Sequence, residues 1–234
     1  MTAIASPEQA EPVKLLPTAP VAVIEIDNPP VNATSHSVRA GLLEAIHDVD
    51  LNTQIEAVVI ACAGRTFVAG ADIREFGQTP REPHLPDVIN AIEACSKPVV
   101  AAIHGTALGG GCEIALASHA RVAEPGASLG LPEVKLGLVP GAGGTQRLPR
   151  LVGLEAALDL VTSGRTVKAA EALRLGLVDC LSSGDLRQDA IELARDLIGE
   201  PLRRTGERPV APMDDEAASA KIAEIRRKAR GAEA

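Results

Sequence analysis

The sequence predicts an α/β protein in which helices cover a parallel β-sheet. Two short apolar runs, at residues 21–26 and 57–63, have the character of strands. Between them, apolar residues recur at helical spacing. The second run, AVVIACA, is apolar without interruption, which is typical of a strand buried on both faces of a parallel sheet. Strands that alternate with helices along a chain indicate this architecture.

The other elements are predicted from the same patterns. Residues 28–30, Asn-Pro-Pro, end the first strand. Val38, Leu42, Ile46 and Val49 then fall on one face of the first helix. The further predicted helices are at about 86–95, 112–120, 154–164 and 167–176, and the further predicted strands are at 99–105 and 177–181.

Composition divides the chain into three parts. Residues 1–20 are rich in Pro, Ala and Glu and are predicted to form a loose lead-in. Residues 21–200 are predicted to form one core domain, since a single domain of this size can bury a sizeable core. Residues 201–234 are predicted to be a basic, Pro-rich linker followed by a charged helix at about 215–230.

Composition and charge also exclude several functional classes. The chain has two Phe, no Tyr and no Trp, and its formal net charge is −8. Both features disfavour nucleic acid as a partner. The four cysteines show no metal-binding spacing, no apolar run is long enough for a membrane span, and no secretory signal begins the chain. We therefore expect no metal, no membrane association and a cytoplasmic location.

Three glycine-rich loops, at residues 67–76, 105–113 and 129–151, are the candidates for a functional site. In the second loop, Gly109, Gly110 and Gly111 follow a predicted strand and open a helix. Glycines there permit close approach of a ligand to the backbone, and the N–H groups at a helix start favour a developing oxyanion. A tight turn that packs a helix against a sheet is the alternative interpretation.

The first loop supports a similar interpretation. Ala69, Gly70 and Ala71 are too small to block a ligand. The backbone N–H of Ala71 is therefore a candidate for a second oxyanion donor. Asp72 follows directly, and a helix cap is the simpler role for it.

Two glutamates in these loops are candidate catalytic residues. Glu133 follows Pro132 among apolar residues, and Glu113 opens an apolar helix. A carboxyl group in apolar surroundings resists ionisation, and two such groups near one another can act as acid and base. Taken singly, Glu113 is equally explained as a first-turn helix residue, and Glu133 as an exposed loop charge.

In combination, these residues resemble the enoyl-CoA hydratase/isomerase, or crotonase, family. The resemblance rests on AGADI, ALGGGCE and PEVKLGLVPGAGGTQRL, in that order, and extends over about residues 21–181. Glu113 and Glu133 are 20 residues apart, as the two hydratase glutamates of the family are. NPPVNA, GLPEVKLGL and TGERP most resemble the hydratase part of multifunctional β-oxidation proteins, although no dinucleotide-binding fingerprint follows here.

The resemblance implies a crotonase (ClpP-like) fold of repeated ββα units with a short helical C-terminal appendage. It implies reversible hydration of a trans-2-enoyl-CoA to a 3-hydroxyacyl-CoA. Ala71 N–H and Gly110 N–H would hold the thioester oxygen, Glu113 would activate water, and Glu133 would protonate the α-carbon. Coenzyme A would enter as part of the substrate, without a metal or redox cofactor. The implied substrate-binding residues are Ala69, Ala71, Asp72, Ile73, Arg74, Gly109, Gly110, Pro132 and Gly141.

Several alternatives stay open at this point. A Δ3-Δ2-enoyl-CoA isomerase needs only one placed carboxyl, so isomerase or dual activity is the nearest alternative. A non-catalytic CoA-binding or assembly module is the alternative from another class. The family also implies a homotrimer or hexamer, or else a dehydrogenase domain or subunit as a partner. Arg74 could lie near the CoA nucleotide or be a solvated helix charge.

Overall fold

The computed structural model describes residues 11–231, with side chains through residue 227. Nine strands and eight α-helices are assigned in this part of the chain. The strands are β1 Val13–Leu16, β2 Val21–Ile26, β3 Ala57–Cys62, β4 Val99–Ile103, β5 Thr106–Leu108, β6 Ala120–Ala123, β7 Ser128–Gly130, β8 Thr166–Lys168 and β9 Cys180–Leu181. The helices are α1 His36–Leu51, α2 Leu85–Ala94, α3 Gly110–Ala117, α4 Gly144–Val152, α5 Leu154–Ser163, α6 Ala169–Leu175, α7 Leu186–Asp196 and α8 Asp215–Gly231.

The strands form two sheets. The larger has the order β1-β2-β3-β4-β6-β9, and all its pairs are parallel except β1 with β2. The smaller has the order β5-β7-β8, in which β5 and β7 are parallel and β7 and β8 antiparallel. The predicted parallel sheet is therefore confirmed, and a second sheet accompanies it.

Apolar packing covers both faces of the large sheet. On β2, Ile24 and Ile26 pack in the core cluster that includes α1, α2 and α3. Val21 and Val23 of the same strand point to the opposite face and pack with α7, because side chains alternate along a strand. Both faces exclude water, which explains the unbroken apolar sequence of β3.

The ββα repeat is also present. β4, β5 and α3 form one unit, and β6, β7 and α4 form the next. In each unit the first strand joins the large sheet and the second joins the small one. The helix of each unit thus begins beside the small sheet, and this geometry places two of the glycine-rich loops next to each other.

Some predicted boundaries are wrong. The predicted lead-in includes β1, which pairs with β2, while residues 1–10 lie outside the described residues. The helix predicted at 112–120 ends at Ala117, and β6 begins at Ala120. The helix predicted at 167–176 begins at Ala169, because Val167 and Lys168 pair with β7. These short strands are stabilised by pairing with distant partners, which local sequence patterns do not reveal.

The predicted linker is packed against the core at one point. Thr205 is buried, and the N–H of Gly206 donates a hydrogen bond of 2.6 Å to Glu93 of α2. Farther along, Lys221 of α8 lies 3.5 Å from Glu155 of α5. Among the described helices, none combines the length and apolar character that a bilayer span requires.

Candidate active site

The first loop is held in place by the segment that follows β2. Asn32 is buried with a positive φ of 53°, and its side-chain amide donates to Ala63 O at 2.8 Å and Thr66 O at 2.9 Å. Thr34 N–H donates to Gly70 O at 2.9 Å. The backbone of the loop is thereby fixed through hydrogen bonds to atoms far away in sequence.

The second loop packs directly against the first. Leu108 N–H donates to Val68 O at 3.0 Å. Gly111 lies so close to this carbonyl that a Cβ atom would collide with it. Gly109 has a φ of +51°, which favours glycine. Of the two interpretations of the glycine run, close packing therefore explains Gly111, whereas Gly109 and Gly110 face a cavity.

That cavity has a volume of about 450 Å³ and receives residues from all three loops. Its rim carries large apolar side chains that are exposed, such as Ile73, Leu136 and Val139. An apolar wall with few polar groups is typical of a site for an organic ligand. The predicted site residues that line the cavity are Ala69, Ala71, Ile73, Gly109, Gly110, Glu113, Pro132, Glu133 and Gly141.

Asp72 and Arg74 do not line this cavity. Asp72 accepts a hydrogen bond from Arg74 N–H at 3.0 Å and caps the short 3₁₀ helix Ile73–Glu75. It also forms an ion pair of 2.7 Å with the exposed Arg74 side chain. The hydrogen bond from Arg74 lowers the pKa of Asp72, although burial opposes this effect. The predicted cap is confirmed, whereas a role in substrate binding stays a prediction for both residues.

Two backbone N–H groups at the cavity are available to a ligand. Among the described residues, neither Ala71 N–H nor Gly110 N–H donates a hydrogen bond to a loop, turn or cap. Gly110 is the first residue of α3, where N–H groups lack partners within the helix. Both residues line the cavity. The structure thus brings together the two residues predicted as oxyanion donors.

Glu113 lies in the first turn of α3 and is buried. Its Oε1 atom accepts hydrogen bonds from Ala142 N–H at 2.8 Å and Gly144 N–H at 2.9 Å. Burial raises the pKa of Glu113, while these two bonds and the positive charge of Arg147 partly offset the increase. The sequence did not single out Ala142 and Gly144 as partners. The Gly-Ala-Gly-Gly run at residues 141–144, where α4 begins, was the signal for them.

Glu133 begins a 3₁₀ helix in the third loop and contacts the second loop. A Cβ atom added to Gly109 would lie 3.2 Å from Glu133 Oε1. The Oε2 atom of Glu133 is buried and has no hydrogen-bond partner among the described residues. Burial raises the pKa of Glu133, and the nearby Glu113 raises it further. Both carboxyls therefore resist ionisation, as the apolar sequence around them predicts.

This environment predicts a stability effect for Glu133→Gln. A carboxyl whose pKa is raised by folding binds its proton more tightly in the folded chain, so its ionised form destabilises the fold above that pKa. We expect the variant to unfold at a higher temperature than the parent at about pH 8. The difference should shrink as the pH falls through the raised pKa. Thermal unfolding followed by circular dichroism across this pH range measures it.

The exposed Glu124 provides a matched control. Glu124→Gln removes the same charge from the surface, where a charge contributes little to stability. Equal unfolding temperatures for Glu133→Gln and the parent at every pH would contradict a destabilising effect of the ionised Glu133 carboxylate.

The geometry defines a class of site: an apolar cavity with one buried carboxyl, one half-buried carboxyl and two available backbone N–H groups. The sequence profile of enoyl-CoA hydratase/isomerase matches residues 17–218, and the chain belongs to this family. It is 48% identical over 215 residues to a peroxisomal bifunctional enzyme of Danio rerio, covering 90% of this chain and 30% of that protein. It is 44% identical over 186 residues to a peroxisomal fatty acid beta-oxidation multifunctional protein of Arabidopsis thaliana, covering 76% of this chain and 26% of that protein.

A solved structure agrees with the fold. The crystal structure of an enoyl-CoA hydratase from Bacillus anthracis superimposes with a TM-score of 0.75 at 35% identity, covering 80% of this chain and 76% of that one. The predicted crotonase fold and the resemblance to multifunctional β-oxidation proteins are confirmed. The chain spans less than a third of the length of the two curated relatives described above.

Proposed function

We propose that the chain is an enoyl-CoA hydratase, which adds water reversibly to a trans-2-enoyl-CoA to give a 3-hydroxyacyl-CoA. The observation that supports this proposal most is the position of Glu113 and Glu133 at one cavity with the N–H groups of Ala71 and Gly110. Hydration across a conjugated double bond needs a base, an acid and stabilisation of an enolate. The site offers a candidate for each.

In the proposed mechanism, Ala71 N–H and Gly110 N–H donate to the thioester oxygen as negative charge develops on it. Such donors, fixed before the reaction, stabilise the enolate more than the neutral substrate. Glu113 accepts a proton from water as the water oxygen attacks the β-carbon. Glu133 donates a proton to the α-carbon. The raised pKa of Glu133 keeps its proton available near neutral pH.

The apolar rim suits the acyl part of such a substrate. Ile73, Leu136 and Val139 would contact a hydrocarbon chain, and burial of apolar surface there contributes about 25 cal/mol per Å². Glu113, which is buried, and Glu133, which is half-buried, line the same cavity. Coenzyme A enters as part of the substrate, and the proposed mechanism uses no metal. In the described residues, no group of three or more His, Cys, Asp or Glu is placed to hold a metal ion.

Isomerisation of a 3-enoyl-CoA is a second candidate activity at the same site. Glu133 Oε2 has no hydrogen-bond partner in the described part of the chain, so this carboxyl is available to move a proton between two carbons on its own. Isomerisation needs no water at the β-carbon, and Glu113 would then be dispensable. The Glu113→Gln variant therefore separates the two activities.

The deciding experiment offers crotonyl-CoA and a longer trans-2-enoyl-CoA to the purified chain. We expect the absorbance of the conjugated thioester to fall as the double bond is hydrated. A 3-enoyl-CoA in a parallel assay tests isomerisation, which would raise the same absorbance. If neither substrate reacts, while the chain is folded and binds an acyl-CoA, the chain is a non-catalytic CoA-binding module. The cytoplasmic location and the oligomeric or dehydrogenase partner stay predictions.

A further inference from the structure

Arg147 of α4 contacts the loop that binds Glu113 from the side away from the cavity. Its guanidinium is buried, and Nη1 donates to Ala142 O at 3.3 Å. The N–H of the same Ala142 donates to Glu113 Oε1 at 2.8 Å. Ala142 is therefore held between the guanidinium and the carboxyl. Gly143 makes this possible, because a Cβ atom there would collide with Arg147 Nη1.

Glu93 of α2 fixes the guanidinium in turn. Arg147 Nη2 lies 2.7 Å from Glu93 Oε2, and Arg147 Nε donates to Glu93 Oε1 at 3.1 Å. A bidentate pair of this kind sets both the distance and the orientation of the two groups. Burial alone would raise the pKa of Glu93, but the hydrogen bonds from Arg147 and from Gly206 N–H keep it lowered. Glu93 thus carries a full negative charge opposite the guanidinium.

The C-terminal segment Arg204–Glu207 completes this support. Gly206 N–H donates to Glu93 Oε1 at 2.6 Å, and Arg204 Nε donates to Glu93 O at 3.2 Å. The segment includes the Thr-Gly-Glu of the TGERP sequence. A continuous series of polar contacts therefore joins residue 206 to Glu113 through Glu93, Arg147 and Ala142.

We propose that Arg147 is a positioning residue for Glu113, held in place by Glu93 and by the segment Arg204–Glu207. Arg147 contacts neither the cavity nor Glu113 directly. It acts by fixing Ala142, whose N–H orients the carboxyl. The inference rests on the proposed function, because it assigns a role to a carboxyl that the hydration mechanism uses.

The charge of Arg147 gives this role a measurable signature. Its positive charge lowers the pKa of Glu113 against the dominant effect of burial. The other charged or titratable groups around Glu113 are Glu133, Cys112 and, behind Arg147, Glu93. Removal of the guanidinium takes away one of the effects that lower the pKa of Glu113, so this pKa should rise.

The test measures the titration of Glu113 by ¹³C NMR of the side-chain carboxyl carbons in Glu-labelled protein. The Glu113→Gln variant assigns the resonance by its loss. We expect Arg147→Gln to raise the midpoint of this titration. In the crotonyl-CoA assay we expect kcat to fall about 10- to 100-fold, with KM nearly unchanged.

Two further variants keep the test decisive. Arg147→Gln leaves Glu93 buried without its partner and can unfold the chain, so the double variant Glu93→Gln/Arg147→Gln removes both charges. It should show a smaller shift in the same direction, because loss of the Glu93 charge opposes loss of the Arg147 charge, which is the one that lowers the pKa of Glu113. Arg150→Gln is the control on the same helix, because among the described residues the Arg150 side chain donates to Gln146 alone. It should change neither measurement. An unchanged Glu113 titration in the folded double variant would overturn the proposal.

Gly206→Ala tests the contribution of the C-terminal segment. A Cβ atom at residue 206 would lie 2.7 Å from Glu93 Oε2 and push the carboxylate aside. We expect a smaller loss of kcat in the same direction, whereas Gly184→Ala, which meets no atom within 4 Å, should have no effect. If kcat of Gly206→Ala equals that of the parent, the segment Arg204–Glu207 does not help to position Glu113.

The NMR titration separates this proposal from the proposed function. If the parent shows no turnover but the Glu113 midpoint still moves in the arginine variants, the hydratase proposal fails while the positioning role of Arg147 holds. If the parent is active and the Glu113 midpoint does not move, the hydratase proposal holds and the positioning role of Arg147 fails.

Discussion

Replacement of Glu113 or Glu133 by Gln is expected to lower kcat for enoyl-CoA hydration by about 10²- to 10⁴-fold, the range for loss of a general acid or base. Gln has the same shape as Glu, and at residue 113 its amide oxygen can still accept hydrogen bonds from the N–H groups of Ala142 and Gly144. The loss would therefore report the missing proton transfer and not a displaced loop. Steady-state assays with crotonyl-CoA should show KM changing far less than kcat.

The double variant adds a further check on this assignment. If the two carboxyls act in one reaction step, the double variant should be little worse than the poorer single variant, because residues that act as a unit are not additive. Glu124→Gln changes an exposed glutamate that does not line the cavity, so it is the control and should keep parental activity. Full activity in both single variants would contradict the assignment.

Among the substitutions proposed for this chain, Gly111→Ala is expected to cause the largest decrease in the free energy of unfolding. The added Cβ atom would collide with the carbonyl oxygen of Val68 and would lie 2.6 Å from the Val68 Cβ atom. Both neighbours are rigid, since Val68 is buried and its carbonyl also accepts from Leu108 N–H at 3.0 Å. We expect a loss of about 3 kcal/mol, the upper part of the range for an overpacked core. For a chain of this size this corresponds to an unfolding temperature lower by roughly 6–12 °C.

Gly126→Ala is the matched control for this substitution. A Cβ atom at Gly126 meets nothing within 4 Å, and its φ is not in the left-handed region. The control should unfold at or slightly above the parental temperature, because Ala restricts the unfolded chain more than Gly does. Thermal unfolding of both variants in the same buffer measures the difference. An unfolding temperature for Gly111→Ala equal to that of the control would contradict the packing of the two loops.

The sequence was sufficient to predict the central elements of the fold. β2, α1, β3 and β4 were predicted because their residues are buried with a clear period or an unbroken apolar run. The three-residue strands of the small sheet were missed, since three residues are too few to show a period. β1 was missed for a different reason: it is an edge strand in a Pro-rich region and depends on pairing with β2.

In the candidate site, too, some features were predicted from the sequence and others were found only in the structure. Glu113, Glu133, Ala71 and Gly110 were predicted as site residues from the order and spacing of the family motifs, and all four line the cavity. The sequence also predicted the resistance of both carboxyls to ionisation, since apolar neighbours along the chain reflect an apolar environment in space. It suggested that Asp72 is a cap, because a cap is a local contact.

Only the tertiary structure decided which distant groups hold these residues. The contacts of Glu113 with Ala142, and of Ala142 with Arg147, span 29 and 5 residues, and Gly206 reaches Glu93 over 113 residues. Such contacts depend on how helices pack on two sheets, and no local period in the sequence encodes them. The amino-acid sequence by itself thus determined the fold class, the loops and the pair of carboxyls. The cavity between the loops and the support behind Glu113 were decided by packing, because their atoms meet only when the chain is folded.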